Sequence, residues 1–89
     1  MVDFLKALGN PARLKIIWFL IDSAASSSGN IIEVLPLAQS TVSKHLSELK
    51  RVKLIKEKQR KQYMYSLNVK TWEKVRDFVF VEINLPKED

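Results

Sequence analysis

The segment PLAQSTVSKHLSELKRVKLI, residues 36–55, places small polar residues ahead of regularly spaced apolar ones. Val42, Leu46 and Leu49 are four and three residues apart, the spacing that puts side chains on one face of an α-helix. The opposite face carries Ser40, Ser43, Lys44 and Ser47. We therefore predict an amphipathic helix that buries one face and presents a low polar face, on which another molecule could dock closely.

Two helices are predicted before this segment. The first covers residues 2–8 and is stopped by Gly9. Asn10 then caps a second helix, with Pro11 at the first helical position, where its missing N–H costs nothing. The second helix is predicted to run to about Asp22 and to lie mostly in the core. Its helical spacing is defined by Leu14, Ile17, Trp18 and Ile21.

Residues 23–30, SAASSSGN, are small and polar and are predicted to form a loop. Asn30 is the expected cap of a short helix that follows, and Pro36 ends that helix because proline cannot continue it. The apolar residues of the short helix are Ile31, Ile32, Val34 and Leu35.

After Leu54 the pattern changes from helix to strand. LIKEKQ (54–59) separates apolar from charged residues in strand fashion, and QYMYSL (62–67) has the aromatic residues typical of strands, so residues 60–61 are the predicted hairpin tip. Asn68 caps a last helix whose broad apolar surface suggests that a second chain packs against it. The apolar residues of this helix are Val69, Trp72, Val75, Phe78, Val79, Phe80 and Ile83.

Positive charge is concentrated in one part of the chain. The 89 residues carry a net charge of +5, whereas residues 39–65 contain eight basic and two acidic residues, a net charge of +6. A basic segment on a near-neutral remainder favours a surface that faces a polyanion, although a solvated lysine face would have the same composition.

Composition argues against several other classes of protein. With no cysteine and one histidine, a disulfide, a thiolate metal site and a cysteine nucleophile are all excluded. The sequence shows no nucleophile beside a base and no phosphate-binding glycine loop, so neither catalysis nor a cofactor is expected. Without a long apolar run or a signal-peptide pattern, a cytoplasmic location is expected.

The predicted order of elements is a helix-turn-helix followed by a β-wing. LKALGNPARLKII (5–17), QSTVSKHL (39–46) and a wing ending in QYMYSL together resemble the ArsR/SmtB family of bacterial repressors over about residues 4–80. The first block is similar to the family's leucine-glycine-x-proline-x-arginine entry into the second helix, and the second block to its DNA-recognition helix. The resemblance implies one winged-helix domain over residues 1–89, mainly α with a small β-hairpin wing, that binds an inverted-repeat operator as a homodimeric repressor.

The resemblance also implies a recognition helix that lies in the major groove of double-stranded DNA. Candidate contacts to bases or phosphates are Gln39, Ser40, Thr41, Ser43, Lys44 and His45. Gln39 could form two hydrogen bonds with an adenine. Thr41 could instead cap or pack, and His45 could equally pack against the helix bundle or contact a phosphate.

Residues outside the recognition helix complete the expected contacts. In the wing, Lys58, Arg60 and Lys61 could follow the DNA backbone or enter a minor groove, and Arg60 stands where many relatives carry a glycine that turns the tip. The first and last helices are expected to form the dimer contact. The candidate residues for that contact are Phe4, Leu5, Leu8, Trp72, Val75 and Val79.

Members of the family often hold metals through a Cys-x-Cys pair or through ligands on the last helix. Ser26 and Ser28 stand where thiol-bearing relatives carry the pair, and serine hydroxyls are poor ligands for soft ions. The last helix offers acids without histidine, namely Glu73, Asp77 and Glu82. No metal site is therefore expected. Natural loss of a site, replacement of cysteines, and a flexible connector without chemical role all explain the serines.

Fold alone does not determine function, so a second function is considered. The chain could be a protein-interaction module that keeps the winged-helix scaffold but does not bind DNA. A protein-docking module has no need to concentrate positive charge on the recognition helix and the wing. The charge distribution therefore favours DNA.

Overall fold

The computed structural model describes the backbone of residues 2–84 and the side chains of residues 3–78. Its elements are α1 (Val2–Leu8), α2 (Pro11–Ile21), β1 (Ser26–Ser27), α3 (Ser28–Val34), α4 (Gln39–Arg51), β2 (Ile55–Gln59), β3 (Tyr63–Leu67) and α5 (Val69–Asn84). The described chain is mainly helical, with a three-stranded antiparallel sheet in the order β1-β3-β2. This confirms the predicted winged helix-turn-helix class and adds a strand, β1, that the sequence did not predict.

The boundary between α1 and α2 lies where the sequence predicts it. The Asn10 side-chain oxygen accepts hydrogen bonds from the backbone N–H groups of Ala12 (2.9 Å) and Arg13 (3.2 Å). Pro11 occupies the start of α2, where no hydrogen bond is lost. The cap therefore fixes where the second helix begins.

The buried face of α2 differs from the predicted one. The side chains that α2 buries are Ile16, Ile17 and Leu20. Leu14, Trp18 and Ile21, for which the spacing predicts core positions, are exposed, Trp18 to 71%. Apolar residues occupy more than one side of this helix, so two faces show helical spacing. Contacts with α1, α4 and β3 decide which of the two is buried.

Ser26 and Ser27 form a strand where the sequence predicts a loop. Ser26 pairs with Tyr65 and Ser27 with Met64, and both serines are buried. Ser27 also caps α3, because its hydroxyl oxygen accepts a hydrogen bond from the N–H of Asn30 (3.2 Å). Asn30, the predicted cap, lies inside the first turn of α3. A two-residue strand is too short to show an alternating pattern, which is why its sequence gives no local signal.

α4 supplies the centre of the core. Val42, Leu46 and Leu49 are all buried, which confirms the predicted face. β2 and β3 form the predicted hairpin, paired from Ile55 with Leu67 to Gln59 with Tyr63. The remaining buried apolar residues of the described core are Ala7, Ile16, Ile17, Leu20, Ile31, Leu35, Val52, Leu54, Ile55 and Val75.

α5 begins at the predicted place and packs on the core through its first half. The Asn68 side-chain oxygen accepts a hydrogen bond from the N–H of Thr71 (3.4 Å). Trp72 packs against the core and Val75 is buried within it. The side chains of Val79, Phe80 and Ile83 lie outside the described residues. Neither α5 nor any other helix in the described part of the chain is long and apolar enough to cross a membrane.

Lys53, just beyond the C-terminus of α4, has a φ of 64°, in the left-handed region that disfavours a Cβ atom. Two hydrogen bonds enclose it, from the Lys53 N–H to the Lys50 carbonyl (2.9 Å) and from the Leu54 N–H to the Leu49 carbonyl (3.0 Å). Leu49 and Leu54 are both buried. This is a Schellman motif, in which glycine usually occupies the left-handed position.

Replacing Lys53 with glycine should therefore stabilise the fold. We expect Lys53→Gly to raise the free energy of unfolding by about 0.5–1 kcal/mol, because the left-handed strain outweighs the entropy that glycine gains in the unfolded chain. Lys53→Ala is the matched control, since it removes the same charge but keeps a Cβ atom. Urea unfolding measures both variants. Equal stability of the glycine and alanine variants would contradict the strain at this position.

Candidate nucleic-acid interface

α3 and α4 form the helix-turn-helix unit, with residues 35–38 as the turn. The N–H of Leu37 donates a hydrogen bond to the carbonyl of Leu35 (2.8 Å), which tightens the turn. Ile31 of α3 and Val42 of α4 are both buried in the core. Because α4 is held by its buried face, its opposite face points outward in a defined orientation.

That outward face carries most of the predicted contact residues. Gln39, Ser40, Ser43 and Lys44 are exposed, whereas Thr41 is half-buried. Ala38 is the N-cap of α4 and provides no side-chain hydrogen bond to the helix. The N-terminal turn of a helix presents N–H groups and a partial positive charge, both of which favour an anion such as a phosphate. The short side chains beside this turn leave room for close approach.

The hairpin places three basic side chains at exposed positions. Lys58 lies in β2 opposite Met64, while Arg60 and Lys61 lie in the tip. The N–H of Arg60 donates a hydrogen bond to the carbonyl of Gln62 (3.1 Å). In the described chain none of residues 60–62 has a positive φ. The tip therefore closes without glycine, and Arg60 occupies it without backbone strain.

The basic residues of α4 and the wing divide into two groups. Lys50 Nζ lies 2.8 Å from Glu57 Oε1 on β2. Arg51 Nη2 lies 2.6 Å from Glu48 Oε1, and its Nε donates a second hydrogen bond to Glu48 Oε2 (3.1 Å). Within the described side chains, no acid lies within ion-pair distance of Lys44, Lys56, Lys58, Arg60 or Lys61. The second group is available to bind phosphates.

The ion pair between Lys50 and Glu57 joins α4 to the wing. The hydrogen bond from Lys50 lowers the pKa of Glu57, and the Tyr65 phenol lowers it further. Tyr65 lies directly opposite Glu57 on β3. Burial, together with the Glu57 carboxylate, raises the pKa of Tyr65 to about 12. At neutral pH the charged Glu57 carboxylate thus connects α4 with β2, and it lies opposite the protonated phenol of Tyr65 on β3.

The Nδ1 side of the His45 ring faces α2 and not the outward face of α4. Arg13 Nε donates a hydrogen bond to His45 Nδ1 (3.1 Å), and Arg13 Nη1 donates one to the carbonyl of Ala7 (3.5 Å). Burial lowers the pKa of His45, and the charge of Arg13 lowers it further. Periodicity did not identify Arg13 as functional. Its one sequence signal is its place at the end of the leucine-glycine-x-proline-x-arginine block.

The predicted dimer residues are not equally available to a second chain. Half-buried side chains that pack on the chain's own core are Phe4, Leu8 and Trp72. Leu5 is exposed on α1, and Phe78 is exposed on α5. Val75 is only 1% exposed in the single chain, so it has no surface left for a partner and its assignment to the dimer contact is corrected. The side chain of Val79 lies outside the described residues.

The serine segment has a structural role in the fold. Ser26 is 3% exposed within β1, and Ser28 is the first residue of α3, so a flexible connector is the wrong description of this segment. Asp77 on α5 pairs with Arg76 (3.1 Å), and Glu82 falls outside the described side chains. Among the residues that the structure describes, no group of three or more His, Cys, Asp or Glu residues could hold a metal ion.

Known proteins with similar sequences and structures are regulators of transcription. A helix-turn-helix domain family matches residues 8–58. The transcriptional repressor PagR of Bacillus anthracis is 38% identical over 66 residues, which make up 74% of this chain and 67% of PagR. HlyU from Vibrio cholerae has a TM-score of 0.76 at 29% identity, covering 92% of this chain and 89% of HlyU. The transcriptional repressor BigR from Xylella fastidiosa shares the fold, with a TM-score of 0.74 at 22% identity over 92% of this chain and 84% of BigR.

The fold, the outward face of α4 and these similarities define a DNA-binding transcriptional regulator of the winged helix-turn-helix class. Within that class the chain belongs to the ArsR/SmtB family. The family resemblance inferred from the sequence blocks is therefore confirmed.

The raised pKa of Tyr65 can be measured directly, because the chain has only two tyrosines. In a Tyr63→Phe variant, the remaining phenol should titrate well above the ordinary value of about 10, because the variant removes only the smallest of the causes that raise the pKa of Tyr65 to about 12. The folded state holds this proton more tightly than the unfolded chain does. Its stabilising contribution is therefore present below about pH 10 and is lost as the pH rises toward 12. Near-ultraviolet absorbance follows the titration.

Glu57→Gln in the Tyr63→Phe background tests the second cause of the raised pKa, which is the Glu57 carboxylate. It should lower the pKa of Tyr65 only in part, since burial is the larger cause. An ordinary tyrosine midpoint in the Tyr63→Phe variant would contradict the burial of the phenol.

Proposed function

We propose that the protein is a homodimeric repressor, with a single domain over residues 1–89, that binds an inverted-repeat operator and blocks transcription there. This proposal rests on one observation, which is that an exposed polar helix face and unpaired positive charges occur together. The exposed polar face of α4 lies in the same unit as several exposed basic residues that form no ion pair with a described side chain, among them Lys44, Lys58, Arg60 and Lys61. The relative PagR is itself a transcriptional repressor.

α4 acts as the recognition helix of this repressor and enters the major groove with its N-terminal turns. Gln39 forms two hydrogen bonds with an adenine, and Lys44 binds a phosphate. Ser40, Thr41 and Ser43 contact base edges or phosphates at short range. The half-buried position of Thr41 favours a backbone contact for this residue.

The wing binds outside the major groove. Lys58, Arg60 and Lys61 contact the DNA backbone or enter the adjacent minor groove, where negative potential attracts a cation. The ion pair between Lys50 and Glu57 links the wing to α4, so the two contact regions are oriented together.

The dimer forms through α1 and α5. Leu5 and Phe78 supply exposed apolar surface, and Phe4, Leu8 and Trp72 support it from the core side. A two-fold dimer presents two recognition helices to successive major grooves about 34 Å apart, which requires an operator with two half-sites in inverted orientation.

The division of basic residues into paired and unpaired groups leads to a test of DNA binding. Lys61→Ala should weaken binding to any duplex and reduce the slope of log affinity against log salt by about 0.9, because one phosphate contact is lost. Lys15→Ala is the matched control, since it removes the same charge from an exposed position of α2, outside the proposed DNA contacts. Its effect should be smaller. Fluorescence anisotropy with a labelled duplex over a series of salt concentrations measures both.

Identical salt slopes for the two variants would contradict the assignment of the wing to DNA. If the unaltered protein bound no duplex at any salt concentration, the protein-interaction module would become the better description.

Exposed apolar residues allow a test of the dimer that spares the core. Leu5→Glu and Phe78→Glu should each shift the protein from dimer to monomer, because an unpaired charge buried in an interface is costly. Val34→Glu changes an apolar residue on α3 that is somewhat more exposed and lies outside the proposed contact, and it is the control. Sedimentation at micromolar concentration distinguishes the two states. A monomeric unaltered protein, or dissociation by Val34→Glu alone, would count against this interface.

A further inference from the structure

One guanidinium group connects three helices beneath the DNA-facing surface. Arg13 of α2 donates from Nε to Nδ1 of His45 on α4, at 3.1 Å, and from Nη1 to the carbonyl of Ala7 near the end of α1, at 3.5 Å. Ala7 is fully buried and His45 is half-buried. The contact therefore lies behind the outward face of α4.

We propose that Arg13 is a positioning residue for DNA binding, which fixes His45 as the neutral Nε2–H tautomer and holds α4 against α1 and α2. The Nε2–H group of His45 is then the donor that remains for a DNA phosphate. This inference rests on the proposed function of α4 as the recognition helix.

Hydrogen-bond chemistry determines the tautomer. A guanidinium group has only donors, so His45 Nδ1 must accept and carries no proton. The single proton of the neutral ring is then on Nε2. No described residue forms a hydrogen bond with Nε2. Protonation of Nδ1 would remove the acceptor and place two cations side by side.

The charges around His45 also favour the neutral ring. Arg13 is the charged residue that α2 directs at the ring, and both burial and this charge lower the pKa of His45. On α4 itself, Glu48 is engaged by Arg51. Glu57 on β2 is engaged by Lys50. The other charged residues on α4 and on the elements packed against it are exposed, namely Lys15, Glu33, Lys44, Lys56 and Lys58.

The position of Arg13 also relates the two proposed interfaces. Its second hydrogen bond ends on α1, a helix of the proposed dimer contact, and its first ends on α4. A change in the Arg13 contact would therefore alter the orientation of α4 relative to the dimer. Operator affinity depends on this orientation, because two recognition helices must fit two half-sites at once.

The first test is spectroscopic and needs no DNA. Because the chain has one histidine, its imidazole nitrogen signals in NMR are unambiguous. The unaltered protein should show the Nε2–H tautomer. Arg13→Ala should give a mixture of tautomers and a higher pKa for His45, because both the hydrogen bond and the adjacent charge are lost. Lys15→Ala, which removes one charge from an exposed position of α2, should change neither property.

The second test measures affinity for a duplex selected from a random library by the unaltered protein, at a pH where His45 is neutral. Arg13→Ala should weaken binding roughly three- to tenfold, the range expected for one hydrogen bond. Lys15→Ala should have a smaller effect. Arg13→Lys keeps a donor and should recover part of the affinity, and it replaces Arg13→Ala if that variant fails to fold. In a His45→Ala background, Arg13→Ala should cause little further loss, since the two residues act through one contact.

An Nδ1–H tautomer in the unaltered protein, or equal affinities of Arg13→Ala and Lys15→Ala, would overturn the positioning role. If the unaltered protein bound no duplex, the proposed function would fail together with the DNA role of Arg13. Normal operator binding with an Nδ1–H ring would overturn the role of Arg13 alone.

Discussion

Burial of Val42, Leu46 and Leu49 sets the rotation of α4, and every outward-facing residue of this helix depends on that rotation. Successive residues of a helix are about 100° apart, so turning α4 by one position would bring Ser43 into the core. A buried hydroxyl without a hydrogen-bond partner is costly, whereas three buried apolar side chains are favourable. The orientation of the polar face therefore follows from the packing of the opposite face.

Ion pairs within the chain decide which basic residues remain available to DNA. Lys50 and Arg51 are each held by a glutamate, whereas Lys44 on α4 and the three basic residues Lys58, Arg60 and Lys61 of the wing form no ion pair with a described side chain. Exposed ion pairs contribute little to stability. Their effect here is geometric, because the pair between Lys50 and Glu57 connects α4 to β2. The net charge of the segment alone does not reveal this division.

Local features of the fold could be predicted from the sequence. Asn10, Pro11 and Asn68 act on residues two or three positions away, and the buried face of α4 follows from spacing alone. Features that depend on distant residues could not be predicted. β1 exists because Ser26 and Ser27 meet β3, nearly forty residues later in the chain.

The same limit applies to the candidate site. The exposed residues of α4 and the basic wing were identifiable from pattern and resemblance. The contact between Arg13 and His45 joins residues 32 positions apart, and periodicity carries no signal for such a pair. The face that α2 buries and the burial of Val75 also depend on how the helices meet. Spacing predicted the wrong face of α2 to be buried, because apolar residues lie on more than one side of that helix. It also assigned Val75 to the dimer contact, because apolar spacing cannot distinguish a chain's own core from a contact with a partner chain.

In the proposed repressor, the outward face of α4 reads DNA as part of a two-fold dimer. Selection of bound duplexes from a random library tests it most directly, because sequence preference and symmetry are measured together. We expect enrichment of an imperfect inverted repeat whose half-sites are centred one helical turn, roughly 10 base pairs, apart. A library without enrichment, or a selected site without dyad symmetry, would contradict it.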